Sequence, residues 1–210
     1  MVLLDCFSGS GALVNSAIQR NIDVVSLDKF KIAPGSHCHL KIDFLDFNFK
    51  FFEPDYFDFL FFGFPCTTTS KASNGFHFEN KYFPKTDDAA HTIKMLYKMR
   101  EIITYFDKAV FIIENPVSAL FSNYWFRFYI QNLGVNTWRM HQFNYGHLTF
   151  KQTDLFTNSH VLWMCNPVHR INGKNAVRKF SNLSLKQRQS YPPAFADAII
   201  NYFILSKKNA

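Results

Sequence analysis

Two polar clusters in this 210-residue chain hold residue types that can make and break covalent bonds. The apolar run Phe57 to Phe62 ends at Gly63-Phe64-Pro65-Cys66, and the run Val110 to Ile113 ends at Glu114-Asn115-Pro116. A lone cysteine is more often a buried structural thiol than a nucleophile, and a lone strand-end Glu is more often a surface acid or a cap. Pro-Cys at one strand end and Glu-Asn at the next change that balance. A thiol that ionises is a strong nucleophile, and a nearby carboxylate can hold or move a proton beside it.

The elements that must position this pair follow from the apolar pattern. Val2-Leu3-Leu4 ends at Asp5, Val24 to Leu27 at Asp28, and Leu40-Lys41-Ile42 at Asp43. These runs are continuous rather than alternating, as a sheet covered on both faces requires. Helical spacing fills the intervals. Ala12 to Arg20 forms one helix, and a longer one capped by Asp87 or Asp88 carries Ala89, Ile93, Leu96, Ile103 and Phe106 on one face. Ala119 to Leu133 is a third, and a last helix runs from Pro193 to Leu205 with Pro in its first turn. Thr67 to Lys85 and Cys165 to Ser184 read as loops. The expected fold is an α/β sandwich with a mostly parallel sheet and helices on both faces, in one domain over residues 1–210. All five polar clusters then lie at the carboxyl ends of strands, where such sheets bind ligands.

The first cluster has the make-up of a cofactor loop. Asp5-Cys6-Phe7-Ser8-Gly9-Ser10-Gly11 leaves the first strand and opens the first helix, with glycines that let the backbone approach a ligand closely. It is neither Gly-x-Gly-x-x-Gly nor a P-loop, so a pyrophosphate is not indicated, whereas a carboxylate-bearing cofactor suits a helix N-terminus. Asp28 stands 23 positions beyond Asp5 and can accept hydrogen bonds from both hydroxyls of a ribose. Asp43 can accept from an adenine amino group. Each feature alone is as readily a plain turn or cap; in this order they fit a nucleoside-containing cofactor.

The three motifs together resemble the DNA cytosine-5 methyltransferases. Phe62-Gly63-Phe64-Pro65-Cys66 followed by Ser70 is similar to the family's catalytic loop, Phe111 to Pro116 to its Glu-Asn-Val motif, and Asp5 to Gly11 to its S-adenosylmethionine loop. Tyr145-Gly146 and Phe150-Lys151 resemble a later motif before a further strand, and Tyr191 to Ala196 the final helix that closes over the cofactor. The resemblance implies a Rossmann-like class I S-adenosylmethionine-dependent methyltransferase. Cofactor contacts are then expected from Asp5, Phe7, Gly9, Gly11, Asp28, Asp43, Phe44 and Pro65. In the reaction it implies, Cys66 adds as a thiolate to carbon 6 of cytosine, its pKa lowered by a helix terminus or a cation. Glu114 holds ring nitrogen 3 and the exocyclic amine, Asn115 holds one of the two loops, and Pro65 stiffens the approach to the thiol. A duplex substrate must flip its base to reach Cys66.

The chain also departs from the family pattern. Thr67 replaces Gln after Pro-Cys, Pro116 replaces Val, and Lys151-Gln152-Thr153-Asp154 stands where the family presents Gln-Arg-x-Arg. Lys151 is the one cation at that place, without the planar fork of an arginine. The target-recognition region shrinks to a basic insertion at about residues 159–186, where Arg170, Lys174, Arg178 and Lys179, with Ser70 and Lys151, are the expected nucleic-acid contacts. Charge agrees with a polyanionic partner: residues 1–136 carry 13 basic and 14 acidic side chains, residues 137–210 ten and two. DNA is the expected substrate, with RNA or a non-catalytic binding role as alternatives, and so short a recognition region makes a companion subunit for target recognition a further expectation. Four scattered cysteines, without a Cys-x-x-Cys pair, exclude a disulfide framework and a cysteine-rich zinc site; no metal is expected. No apolar stretch reaches the roughly 20 residues of a membrane span. The chain is expected in a reducing compartment beside nucleic acid: cytoplasm, nucleoid or, in a eukaryotic host, nucleus.

Overall fold

Continuous apolar runs become the centre of a seven-stranded sheet. In chain order the elements begin with β1 (Val2–Cys6), α1 (Ala12–Ile18), β2 (Asp23–Leu27), β3 (Cys38–Leu40), β4 (Phe59–Gly63), β5 (Phe78–Glu79), β6 (Phe83–Pro84) and α2 (Asp87–Tyr105). They continue with β7 (Val110–Pro116), α3 (Tyr124–Tyr129), β8 (Asn136–His141), β9 (Gln152–Thr157) and α4 (Pro193–Lys208). This computed structural model describes residues 1–30, 35, 37–69, 73, 75–80, 82–117, 123–147, 151–161 and 191–209.

The strand order is β3-β2-β1-β4-β7-β9-β8. Every described pairing from β3 to β7 is parallel, and β9 runs antiparallel between β7 and β8. The chain builds outward from β1 to β3, then returns to the other side of β1 at β4. That reversal leaves a crevice beyond the carboxyl ends of β1 and β4, where ligands enter such sheets. Register places Gly63 of β4 directly beside Glu114 of β7.

Alternation along the buried strands divides two cores. Leu60 and Phe62 of β4 pack with Leu96 and Met99 of α2 and with Phe106, its C-cap, while Phe59 and Phe61 pack on the opposite face with Val14 of α1 and Ile199 and Phe203 of α4. A strand buried on both faces needs apolar side chains at every position, which is why β4 reads as a run. α1 and α4 are joined by polar contacts as well. Ser16 donates to Asp197, and Arg20 reaches the same carboxylate at 2.9 Å.

Several boundaries differ from the sequence expectation, each for a local reason. The cap of α2 is Thr86, whose hydroxyl accepts from the Ala89 amide, so Asp87 and Asp88 fall inside the first turn and face its positive end. The third strand lies earlier, at Cys38–Leu40, because Asp43 turns back to accept from the Leu45 amide and cap a 3-10 turn. The first helix stops at Ile18 rather than Arg20 and the last continues to Lys208. Of the third, expected over Ala119 to Leu133, the described part is a helix over Tyr124–Tyr129 and a 3-10 turn over Gln131–Leu133, residues 119–122 lying outside the described residues. Within Thr67 to Lys85, β5 and β6 pair as a short hairpin. β8 was not anticipated: as an edge strand it alternates exposed and half-buried residues and shows no apolar run. No helix among the described residues is long and apolar enough to cross a membrane.

Candidate active site

The loop after β1 is wound tightly enough to need its glycines. Phe7, Gly9 and Gly11 have φ of 64°, 53° and 75°, and Gly11 caps α1 in the left-handed region that glycine adopts without cost. The Ser8 amide donates to the Leu27 carbonyl, tying the loop to β2. Asp28 accepts from the Gly9 amide at 3.0 Å through one oxygen and from the Phe30 amide at 2.8 Å through the other. Phe7 packs on Phe44 with ring centroids 4.7 Å apart and edge-on to Phe64 at 5.8 Å, so the crevice has an aromatic wall. Asp43 is engaged with Lys29 at 2.8 Å as well as with its cap. Burial works to raise its pKa, but the hydrogen bonds from Lys29 and the Leu45 amide outweigh that and hold it low.

Asp5 is the informative member of this group. It is 2% exposed, and its Oδ2 has no hydrogen-bond partner among the described residues. Burial, and then the charge of Asp28, pushes its carboxyl well above the usual range. A buried acid left without a donor beside a second acid fits a ligand bearing positive charge and hydroxyl or amine donors. S-adenosylmethionine, with its ammonium, sulfonium and ribose, matches that donor set. Asp5, Phe7, Gly9, Gly11, Asp28 and Phe44 are therefore the residues that would hold it.

The chemical pair meets at the neighbouring strand ends. Glu114, 4% exposed, lies two residues before the end of β7. Its Oε1 accepts from Gln142 Nε2 at 3.0 Å and lies against the Thr153 hydroxyl, and its Oε2 accepts from the Tyr191 hydroxyl at 2.7 Å. Lys151 Nζ stands 3.9 Å from Oε1 and 5.5 Å from the centre of the Tyr191 ring. Cys66 is half-buried on the next loop. Burial, then the charge of Glu114, pushes its thiol above the ordinary value, while Lys151 and the residue's own amide pull it partly back. The expectation of a lowered thiol pKa is thus corrected. The cation is present, but burial and the negative charge of Glu114 outweigh it.

Asn115 joins the two loops. It is fully buried, and its Nδ2 donates to the Phe64 carbonyl at 2.8 Å, one residue before Pro65. The Thr153 hydroxyl also lies 3.0 Å from the Asn115 carbonyl; having one hydrogen, it serves this oxygen or Glu114, not both. Beyond Cys66, Thr68 is hydrogen-bonded to Thr92 of α2 at 2.7 Å, anchoring the far side of the loop.

The structure therefore gathers Pro65, Cys66, Glu114, Asn115 and Lys151 at one place, with the β1 loop and Asp28 beside them. Lys151 faces Glu114, its side chain 14% exposed. Ser70, Arg170, Lys174, Arg178 and Lys179 lie outside the described residues, as does the loop expected over Cys165 to Ser184. Sequence reasoning missed Gln142, Thr153 and the role of Tyr191. They reach Glu114 from 28, 39 and 77 residues away, and no local pattern signals such a meeting. Gly63 was quoted only as part of a motif, yet a Cβ there would lie 2.9 Å from the Tyr191 hydroxyl and 3.5 Å from the Phe7 carbonyl. No group of three or more His, Cys, Asp or Glu side chains able to hold a metal is found among the described residues.

A switch-point crevice, an acid-lined glycine loop and this strand order define the Rossmann-like fold of class I S-adenosylmethionine-dependent methyltransferases. Comparison with solved structures agrees on the fold. A prophage-encoded E. coli protein described as a DNA modification methyltransferase superposes with a TM-score of 0.53 at 18% identity, covering 75% of this chain and 46% of that one. The Entamoeba histolytica methyltransferase EhMeth gives 0.55 at 17% identity, covering 75% and 52%. The S. pombe Dnmt2 methyltransferase gives 0.52 at 12%, covering 75% and 50%. The chain spans about half the length of each. No family model and no curated protein matches its sequence.

Proposed function

We propose that this chain methylates carbon 5 of cytosine in nucleic acid, with DNA as substrate, through a covalent adduct between Cys66 and carbon 6. The observation that carries the proposal is the meeting of Cys66 and Glu114 at adjacent strand ends, close enough for the carboxylate to perturb the thiol and joined through Asn115 and the Phe64 carbonyl.

Carbon 5 of cytosine is a weak nucleophile. The Cys66 thiolate adds to carbon 6 and turns the ring into an enamine-like species, raising electron density at carbon 5. Glu114 faces the ring nitrogen 3 edge and accepts from the exocyclic amine, with Gln142, Thr153 and Tyr191 fixing its oxygens. Asp5, the Gly9–Gly11 loop and Asp28 would hold S-adenosylmethionine, which would supply the electrophilic methyl group to carbon 5, its sulfur–methyl bond breaking to leave the neutral thioether S-adenosylhomocysteine. Loss of the carbon 5 proton to a base then expels the Cys66 thiolate and restores the aromatic ring. Because the thiol sits above its ordinary pKa in the free chain, Lys151 is the group that must favour the thiolate when substrate arrives.

The test uses labelled S-adenosylmethionine with DNA and transfer RNA in parallel, and Cys66→Ala as control. Label in DNA that disappears in Cys66→Ala, together with a covalent complex trapped on 5-fluorocytosine DNA, supports the proposal. Label entering DNA in Cys66→Ala refutes the mechanism. Label confined to transfer RNA refutes the substrate, and cofactor binding without any transfer refutes the activity.

A further inference from the structure

Tyr191 reaches the site from the residue just before the opening of α4, 77 positions beyond the carboxylate it touches. Its ring is gripped from several directions. Phe61 stands edge-on at 5.9 Å, Phe195 at 5.6 Å, and Lys151 Nζ lies over one face at 5.5 Å. Its hydroxyl passes the end of β4 at the one place where a side chain would obstruct it. A Cβ on Gly63 would come within 2.9 Å of that oxygen, so glycine is what leaves the phenol its path to Glu114. Burial, and then the charge of Glu114, pushes the phenol well above its ordinary value, so it remains a donor at neutral pH.

The two oxygens of Glu114 are not held alike. Oε1 meets Gln142 Nε2, the Thr153 hydroxyl and, at 3.9 Å, the Lys151 ammonium; among the described residues Oε2 accepts from Tyr191. The last torsion of a glutamate is broad and twofold, so donors on one oxygen leave the plane of the carboxylate poorly fixed. A donor on the second oxygen fixes it. For a carboxylate that must lie against the edge of a planar ring, that plane decides whether both contacts form together.

We infer that Tyr191 is the positioning residue for Glu114: its phenol, admitted by Gly63, sets the plane in which the carboxylate meets an incoming base. The inference rests on the proposed reading of Glu114 as the base-holding group. It adds a residue from the C-terminal part of the chain to a site otherwise built by β1, β4, β7, the turn around residue 142 and the start of β9.

Tyr191→Phe keeps the ring packing and removes only the donor. Methyl transfer to DNA by Tyr191→Phe is expected to fall at least about tenfold in kcat, the scale for losing one charge-assisted hydrogen bond in a shielded site, with KM for DNA changing little. Gly63→Ala attacks the same contact from the other side and stands in if Tyr191→Phe folds poorly. The double variant should be no slower than the worse single one; additive losses in kcat would overturn the inference. A second readout needs no turnover. The pH midpoint for alkylation of Cys66 should shift in Tyr191→Phe, because the neighbouring carboxylate is released, and should not shift further when Tyr191→Phe is added to Glu114→Gln. Profiles for Tyr191→Phe and the unaltered chain that coincide overturn the inference. If the unaltered chain methylates no nucleic acid, the proposed function fails, while the alkylation cycle still decides whether Tyr191 governs Glu114.

Discussion

Removing the Lys151 ammonium should raise the Cys66 thiol and weaken the fold together, and Lys151→Met tests both while keeping most of the apolar stem. The ammonium stands 3.9 Å from Glu114 Oε1, with the two side chains 14% and 5% exposed. At that separation, with an effective dielectric of about 20, the attraction is about 4 kcal/mol. Against it stands the cost of burying the ammonium, which the substitution relieves. The hydrogen bonds from Gln142, Thr153 and Tyr191 continue to stabilise the carboxylate. The expected net loss of folding free energy is then about 1–3 kcal/mol, read as a fall of roughly 0.5–1 M in the urea midpoint for an m-value of about 2–3 kcal/mol/M. Lys151 is also the charged side chain that pulls the Cys66 thiol down against burial and Glu114. Its removal should therefore raise the alkylation midpoint of the Cys66 peptide, followed by mass spectrometry in a Cys38→Ser background, whereas Glu114→Gln should lower it. An alkylation profile unchanged by Lys151→Met would refute the electrostatic account of the site.

Three other outcomes follow from the same geometry. Asp5→Asn removes a buried acid whose pKa is raised by burial and Asp28, so the thermal midpoint at neutral pH should rise by about 2–5 °C while S-adenosylmethionine binding by calorimetry is lost. Asn115→Ala leaves the Phe64 carbonyl without its donor at a fully buried position and should cost about 1–3 kcal/mol in urea melts, with a larger proportional loss of methyl transfer as the Cys66 loop loosens. Cys6, Cys66 and Tyr191 all have folded-state pKa values raised above those of the unfolded chain. Their contribution to stability is complete below the ordinary thiol value of 9.0 and is lost as pH climbs toward the folded values, so urea midpoints should decline from pH 8 to 10.5.

What the sequence revealed depends on how local each cause is. β1, β4 and β7 are legible because strands buried on both faces demand unbroken apolar runs, and their polar ends are legible because ligands bind there. β8 is not, since an edge strand with Arg139 and Asn136 on it shows no such run. The end of β2 and the position of Asp28 follow from the chain, but the inward turn at Asp43 depends on Lys29 and the Leu45 amide, a meeting made only in the folded state. Cys66, Glu114 and Asn115 announce themselves through neighbours in sequence. The partners of Glu114 do not, because Gln142, Thr153 and Tyr191 are assembled by the antiparallel return of β9 and by the docking of α4. Lys151 was visible as a cation, and only the packing shows that it points inward.

The contact between α1 and α4 bears on how the chain is made. Asp197 accepts from Ser16 and Arg20 across 181 and 177 residues, and Tyr191 arrives with the same helix. During synthesis the strands that bear Cys66 and Glu114 leave the ribosome well before α4 does. Until then the apolar face of α1, Phe59 and Phe61 lacks the cover of Ile199 and Phe203, and Glu114 lacks the Tyr191 hydroxyl on its second oxygen. A nascent chain therefore carries a partly uncovered greasy face and an unfinished reaction centre until α4 docks, and that docking completes both at once.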